Sequence, residues 1–198
     1  AAAVPHLLNA AMLAWHAARA EETFDFHAQA AQITLAQGLP DQAFAHWFDN
    51  AEAMSEIGTA AQTAECLRHL EPLARNDAQA LRVQFVRAVL RAAQGDVDAG
   101  LSEVSGMLAD AIALGDTRIE AECRFASANR ATADGDFDEA LQHLAVGERL
   151  QHELGNERLA TADHLQRGLE AILAAHPRAQ VARQLFGGSY DRLEVLGV

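Results

Sequence analysis

The chain of 198 residues is half hydrophobic and carries a formal net charge of -13, and all 15 of its Lys/Arg-type cations are arginine. This apolar content can fill one packed core, while so acidic a chain is repelled by phosphate backbones and anionic lipid, which excludes direct nucleic-acid and membrane partners. Because lysine does not occur, a Walker A loop, a Schiff base and Ser-Lys or pyridoxal-type chemistry are excluded as well.

The two cysteines, Cys66 and Cys123, lie inside apolar helical runs and lack the paired spacings of a disulfide framework. We expect both to be reduced packing residues of a cytoplasmic protein. The N-terminal residues 1–16 carry no basic region before their apolar residues, and no stretch reaches membrane-spanning length. The chain does not begin with methionine, so we expect a processed form or, by preference, a piece of a longer polypeptide.

Turn signals recur every 19 or 20 residues, and each interval contains one run with the apolar spacing of a helix. One such run is Leu101, Val104, Leu108 and Ile112, which predicts a helix with a single buried stripe. Alanine and leucine dominate the apolar residues and only four prolines occur, which favours helix between the turns. The sequence therefore predicts an all-α protein, with helices near 5–19, 22–37, 41–57, 59–75, 77–94, 97–114, 116–133, 137–154, 157–175 and 177–186.

Helices of one length with short connections are antiparallel neighbours, and a period near 40 residues is typical of stacked helical hairpins. The joint at 95–101 recurs forty positions later at 135–141. Before residue 77 the helices can also be paired in a second way, in which 38–44 is the turn inside a hairpin. The preferred prediction is a stack of five hairpins, an α-solenoid, at about 5–37, 41–75, 77–114, 116–154 and 157–186.

The segment Gly135-Asp136-Phe137-Asp138-Glu139-Ala140-Leu141 resembles the joint between the two helices of the tetratricopeptide repeat, in its variety with longer helices. Ala128 and Ala140 fall at that family's small positions, and Trp47 falls at its aromatic position in the first helix of a hairpin. The resemblance implies a right-handed α-solenoid that binds proteins or peptides. The sequence departs from the family at its aromatic and leucine positions in the fourth hairpin, which are Arg124 and Ser127.

The domain organisation predicted from this pattern is a single repeat domain over 1–186. Residues 187–198 then form a capping turn, since a terminal repeat must cover the apolar end of the stack, or the start of a linker. We expect an effector domain to follow Val198. The alanine-rich, lysine-free composition is typical of a GC-rich bacterial genome.

Known catalytic and metal-binding patterns do not fit this chain. The acidic joint 134–139 lacks the glycine and the bidentate glutamate of a calcium loop, so we interpret it as helix capping. Cys66 and His69 form the sole Cys-x-x-His spacing, and one such pair is weak support for zinc. No serine lies in a Gly-x-Ser-x-Gly elbow. The sequence therefore predicts no enzyme, metal or cofactor.

The first helices of successive hairpins supply the candidate binding residues. Carried over from the tetratricopeptide family, its groove positions imply one concave face in which aromatic rings are buried against a peptide while polar groups set its direction. The alternative, left open, is that the phenylalanines pack between helices. The candidate groove residues are Phe48, Glu52, Arg82, Phe85, Val89, Glu122, Phe125 and Asn129.

These patterns predict a binding module that recognises a protein or peptide, as the sensory or regulatory part of a bacterial signalling or transcription-control protein. The alternative is a structural scaffold that forms a homodimer, through the exposed end of the stack or the leucine-rich C-terminal segment, and so pairs an attached effector domain. An enzyme that uses histidines and carboxylates has little support.

Overall fold

The computed structural model describes residues 3–155, and all of the regular secondary structure in this part of the chain is helical. The all-α prediction is confirmed there. The α-helices are α1 (Ala3–His16), α2 (Ala20–Ala36), α3 (Pro40–Ile57), α4 (Ala60–Leu70), α5 (Asp77–Ala93), α6 (Val97–Gly106), α7 (Leu108–Leu114), α8 (Thr117–Asp134) and α9 (Phe137–Glu153), with a 3-10 turn at Glu71–Leu73.

Two of the predicted helices are interrupted, each for a local reason. Pro72 has no N–H for an α-helical bond, so α4 ends at Leu70 and a 3-10 turn follows. The predicted helix 97–114 is divided at Met107, whose N–H donates to Val104 O (3.1 Å), one residue short of the α-helical acceptor. The helices predicted at 157–175 and 177–186, the hairpin they would form and the segment 187–198 lie outside the described residues.

Two joints, before α8 and before α9, are formed by the glycine and aspartate residues that the sequence indicated. Gly115 and Gly135 adopt left-handed φ angles of +66° and +81°, which favour glycine after a helix. Asp116 and Asp136 then cap the next helix, because their carboxylate oxygens accept from Ile119 N (3.3 Å) and from Glu139 N (3.1 Å). The interpretation of the acidic joint as helix capping is confirmed for Asp136.

The chain divides between Gly100 and Leu101 into two compact units. This boundary lies within α6 and was not predicted, since the sequence was interpreted as one continuous repeat domain. In the first unit, α2 packs against both α1 and α3, and α3 also packs against α4 and α5. Its core is centred on α3, whose largest buried side chains are Phe44, Trp47, Phe48 and Met54.

Helices α3 and α5 lie side by side and run in the same direction. At their N-terminal ends Gln79 Nε2 donates to Asp41 Oδ1 (3.1 Å), and two turns further on the rings of Phe48 and Phe85 lie 6.4 Å apart between centroids. The two pairs are 38 and 37 positions apart in the sequence. Contacts at the N-terminal ends and in the middle of the two helices, with almost the same offset, define a parallel pair, with α4 as the connection.

In the second unit, α8 and α9 form an antiparallel hairpin, and α7 packs against α8. The core of the hairpin consists of Ala128, Ala131, Ala140 and Leu144, with Phe125, Phe137 and Leu141 packed against it. Three of its four buried core residues are alanines, so the two helix backbones approach closely. Within residues 3–155 no helix combines the length and the apolar character that crossing a membrane requires.

Candidate binding surface

Three of the candidate groove residues meet between α3 and α5. The Phe48 and Phe85 rings are tilted by 57° at a centroid distance of 6.4 Å, and the Arg82 guanidinium carbon lies 5.1 Å from the Phe48 centroid. Aromatic pairs at this distance attract each other, and a guanidinium over a ring face adds a cation–π interaction. The structure therefore brings Phe48, Arg82 and Phe85 together between α3 and α5.

The two rings do not, however, line an open groove. Phe48 is 0% exposed and Phe85 is 6% exposed, because each lies in the contact between the two helices. In this fold a ligand has no access to the Phe48 ring and almost none to that of Phe85. The alternative that the sequence left open, packing between helices, describes these two side chains.

The polar groups beside the rings reach the surface. Arg82 and Glu52 are half-buried, and so is Val89, which follows Phe85 by one helical turn. Glu52 lies one turn after Phe48 on the same side of α3, so the next side chain on this side of the helix is a carboxylate and not an aromatic ring. The groove role of Glu52, Arg82 and Val89 stays a prediction.

In the second unit, Glu122 and Phe125 are directed toward α9. Glu122 Oε1 accepts from Nε2 of Gln151, which is 1% exposed (3.1 Å). A Cβ atom added to Gly147 would lie 3.0 Å from Cε1 of the half-buried Phe125 ring. These two side chains therefore contribute to closing the α8–α9 hairpin, and the absence of a side chain at Gly147 makes room for the ring.

Asn129 is the exposed member of the set. It follows Phe125 by one helical turn, near the C-terminal end of α8, and its amide is accessible to a peptide backbone or carboxylate. Its role in binding stays a prediction. Because residues 1–100 and 101 onward are separate compact units, we treat the candidate residues of each unit as separate surfaces.

A network of charged and polar side chains across α8 and α9 was missed in the sequence. Arg124 donates to Glu120 Oε1 through Nη2 (3.0 Å) and Nε (3.3 Å), and its Nη1 lies 3.4 Å from His143 Nδ1. His143 Nε2 lies 3.5 Å from Glu139 Oε1. The Glu120 and Arg124 side chains are 19% and 21% exposed. The arginine at position 124, where the tetratricopeptide resemblance implies an aromatic residue, was the available signal.

The cysteines are buried thiols without the environment of a nucleophile. Burial raises the pKa of Cys66 to about 12, and burial followed by the carboxylates of Glu122 and Glu120 raises the pKa of Cys123 to about 12. Both stay protonated at neutral pH, whereas the reactive form of cysteine is the thiolate. Within residues 3–155 no three His, Cys, Asp or Glu side chains are placed to hold a metal ion.

His69, the partner of Cys66 in the weak zinc pattern, has a packing role. Its ring stacks on Trp47 at 4.1 Å between centroids and 7° between planes, and Nε2 lies 3.1 Å from Glu65 Oε1. Phe24 meets the same indole edge-on at 6.2 Å. Trp47 therefore joins α2, α3 and α4, and the imidazole faces an aromatic ring instead of a ligand.

The chain matches no protein-family model, no curated protein and no solved structure.

Proposed function

We propose that the chain is a non-catalytic binding module, a tetratricopeptide-like stack of helical hairpins that recognises a protein or peptide as the sensory or regulatory part of a bacterial signalling or transcription-control protein. The observation that carries the proposal is the parallel pairing of α3 with α5 through Asp41–Gln79 and Phe48–Phe85. Stacked hairpins place their first helices side by side in this way, with one surface continuing from helix to helix.

In this proposal polar side chains contact the partner, and the buried aromatic rings hold the helices and Arg82 in position. Phe48 and Phe85 fix the spacing of α3 and α5, and Arg82 is held over the Phe48 ring. A guanidinium ordered in this way binds a carboxylate with a smaller loss of side-chain entropy. Glu52 and Arg82 then provide opposite charges for a peptide on the first unit, and Asn129 provides an amide on the second.

The test is affinity capture with the full chain, comparing wild type with Asn129→Ala and Arg82→Gln. Asn9→Ala is the matched control, since Asn9 is likewise an exposed asparagine on a helix. We expect retention of a defined partner to fall roughly tenfold for Asn129→Ala and Arg82→Gln and to be unchanged for Asn9→Ala. Equal retention by all of these proteins would rule out the proposed surface.

The second candidate function, a homodimeric scaffold, is favoured by one feature of α1. Met12 and Leu13 are 48% and 62% exposed, at the end of the hairpin series. Light scattering after size exclusion tests it, because Leu13→Glu should convert a dimer to a monomer while Leu35→Glu, at a 46% exposed residue of α2, should not. A monomeric wild-type chain would exclude this function.

A further inference from the structure

The apolar stripe that the sequence assigns to the helix at 97–114 is only partly covered in the fold. Val104 is 6% exposed, but Leu101 and Leu108 are half-buried and Ile112 is 49% exposed. Leu114, at the end of α7, is 42% exposed. Buried aliphatic side chains contribute about 1.5–3 kcal/mol each, so this partly open stripe leaves hydrophobic free energy available to a partner.

The contact of α7 with α8 leaves the outer side of α7 open. Ala111 is fully buried, whereas Ala109 and Ala113 are exposed. Ile112 and Leu114 are two positions apart, roughly 200° around the helix, and therefore lie at the two edges of this open side, with Ala113 between them. Small residues flanked by larger aliphatic ones allow a second helix axis to approach closely.

The charge around this surface has one sign. Between Arg91 and Arg118 the sequence contains no Arg, Lys or His, but it contains five acidic residues. Asp116 is used as the cap of α8, while Glu103 and Asp110 are exposed on α6 and α7. An apolar surface with acidic residues beside it complements an apolar helix face with cations beside it.

We propose that the α6–α7 surface, formed by Leu101, Leu108, Asp110, Ile112 and Leu114, binds a basic amphipathic helix of a partner protein. This inference rests on the proposed binding function and adds the partner's chemistry and a surface separate from Glu52, Arg82 and Asn129. A second copy of this chain fits poorly, because an isologous contact would bring Asp110 and Glu103 of two chains of charge -13 together.

The probe is a fluorescein-labelled synthetic helix of about five turns, with leucines at i, i+3, i+4 and i+7 and lysines on the polar face. The matched control is the same peptide with glutamate in place of each lysine. Fluorescence anisotropy with the full chain should give at least roughly tenfold tighter binding of the lysine peptide, and a loss of affinity with added salt. No binding of the lysine peptide would overturn the proposal.

Neutral substitutions distinguish docking from attraction by overall charge. We expect the double variant Ile112→Ser and Leu114→Ser to weaken binding roughly tenfold, and Leu13→Ser, at a 62% exposed residue of α1, to leave it unchanged. Asp110→Arg should weaken binding more than Asp134→Arg, whose side chain is 71% exposed on α8. Equal effects of the two charge reversals, with no effect of the serine variants, would overturn the proposal.

The same titration separates this inference from the proposed function. If the lysine peptide binds but its affinity depends on Arg82 and Asn129 and not on Ile112 and Leu114, the α6–α7 assignment is wrong and the proposed surface stands. If captured partner depends on neither surface and the peptide does not bind, both fail.

Discussion

The cores of α3 and α8 have opposite chemistry, although both are 18-residue helices. The buried side of α3 is aromatic, with Phe44, Trp47 and Phe48 each at most 3% exposed. The buried side of α8 contains four alanines, with Ile119 and Cys123 as its larger members, and its half-buried Arg124 joins a polar network to α9.

A helical hairpin has two separate requirements: the positions at which its helices begin and end, and the distance between their axes. Both helices have 18 residues, but their first turns differ: the Asp116 side chain accepts from Ile119 N at the start of α8, whereas α3 begins with Pro40 and has no side-chain cap. The distance between helix axes depends on side-chain volume, which large rings increase and alanines reduce. In the first unit aromatic rings fill the space between helices, whereas in the second the Phe125 ring packs over Gly147 and the Arg124 network links α8 to α9.

The largest expected effect is the loss of a core ring from α3. Phe48→Ala should lower the free energy of unfolding of the first unit by about 3–5 kcal/mol, because it removes a fully buried ring and leaves a cavity. Phe125→Ala should lower that of the second unit by about 1–3 kcal/mol, since this ring is half-buried.

The two units can be followed separately during denaturation. Both tryptophans of the chain, Trp15 and Trp47, lie in the first unit, so their emission reports that unit while far-UV circular dichroism reports all helices. Phe48→Leu is the control, with an expected loss of less than about 1.5 kcal/mol. A Phe48→Ala chain with the wild-type emission transition would contradict the assignment of this ring to the core.

The next effect concerns the buried amides. Asn50 is 0% exposed; its Nδ2 donates to Phe24 O (3.1 Å), while its Oδ1 is buried and has no hydrogen-bond partner among the described residues. Gln151, 1% exposed, donates to Glu122 Oε1. Removing the Gln151 side chain takes a hydrogen-bond donor from the Glu122 carboxylate. Removing the Asn50 side chain takes a donor from the Phe24 carbonyl, which is neutral and lies within α2. Losing a bond to a charged group costs more stability than losing one to a neutral group.

We therefore expect Gln151→Ala to lower the free energy of unfolding by about 2–3 kcal/mol and Asn50→Ala by about 1–2 kcal/mol. Urea denaturation measures both. The exposed Gln29→Ala and Gln142→Ala are matched controls on α2 and α9, with changes within about 0.5 kcal/mol. If Asn50→Ala lowers the free energy of unfolding more than Gln151→Ala does, the hydrogen bond from Asn50 to Phe24 O contributes more stability than the one from Gln151 to Glu122.

A smaller and more discriminating test uses two glycines in helices. A Cβ atom at Gly100 would lie 2.7 Å from Ala88 O and from Ala92 Cβ, whereas at Gly147 it would meet the Phe125 ring at 3.0 Å. Backbone at α5 cannot yield, so we expect Gly100→Ala to destabilise by about 1–3 kcal/mol. The Phe125 ring can shift, and the gain in helix propensity of about 1 kcal/mol should keep the effect of Gly147→Ala within about 1 kcal/mol of zero.

Gly106→Ala is the control for these glycine substitutions, because nothing lies within 4 Å of its Cβ position and only the propensity gain applies. Thermal midpoints rank the three proteins. Equal midpoints for Gly100→Ala and Gly106→Ala would contradict the close approach of Gly100 to Ala88 and Ala92 of α5.

The smallest effect is a pH dependence of the first unit. Burial lowers the pKa of His46 and of His69 from 6.5, with the charge of Arg68 a second cause for His69 and with Asp49 opposing the shift at His46. The folded state therefore favours the neutral rings. Their contribution to stability is complete above pH 6.5, the value of the unfolded chain, and is lost as the pH falls through the lower folded values.

We expect the tryptophan-detected midpoint to fall between pH 7.5 and 5, and to fall less in a variant with both His46→Gln and His69→Gln. His16→Gln, an exposed histidine of α1, is the control. A midpoint that rises on acidification would reverse the sign assigned to these two rings.

Periodicity alone predicted most of the helix boundaries, because glycine, asparagine and aspartate at the joints act through local backbone conformation. It did not predict the local interruption at Met107, and it did not predict the boundary between Gly100 and Leu101, which depends on which helices pack together. Likewise, the recurrence of Phe48, Phe85 and Phe125 was visible in the sequence, but their burial was not.

The sequence by itself determined the all-α class of the described residues, most of their helix boundaries, the capping role of Asp136 and the exclusion of lysine-dependent chemistry. These follow from local propensity, from composition and from bonds between residues three positions apart. Only the tertiary structure decided that Phe48 and Phe85 pack against each other, that Arg124 reaches His143 and that Ile112 stays exposed. Whether a side chain on an apolar stripe meets another helix or the solvent depends on which segments the fold places opposite it.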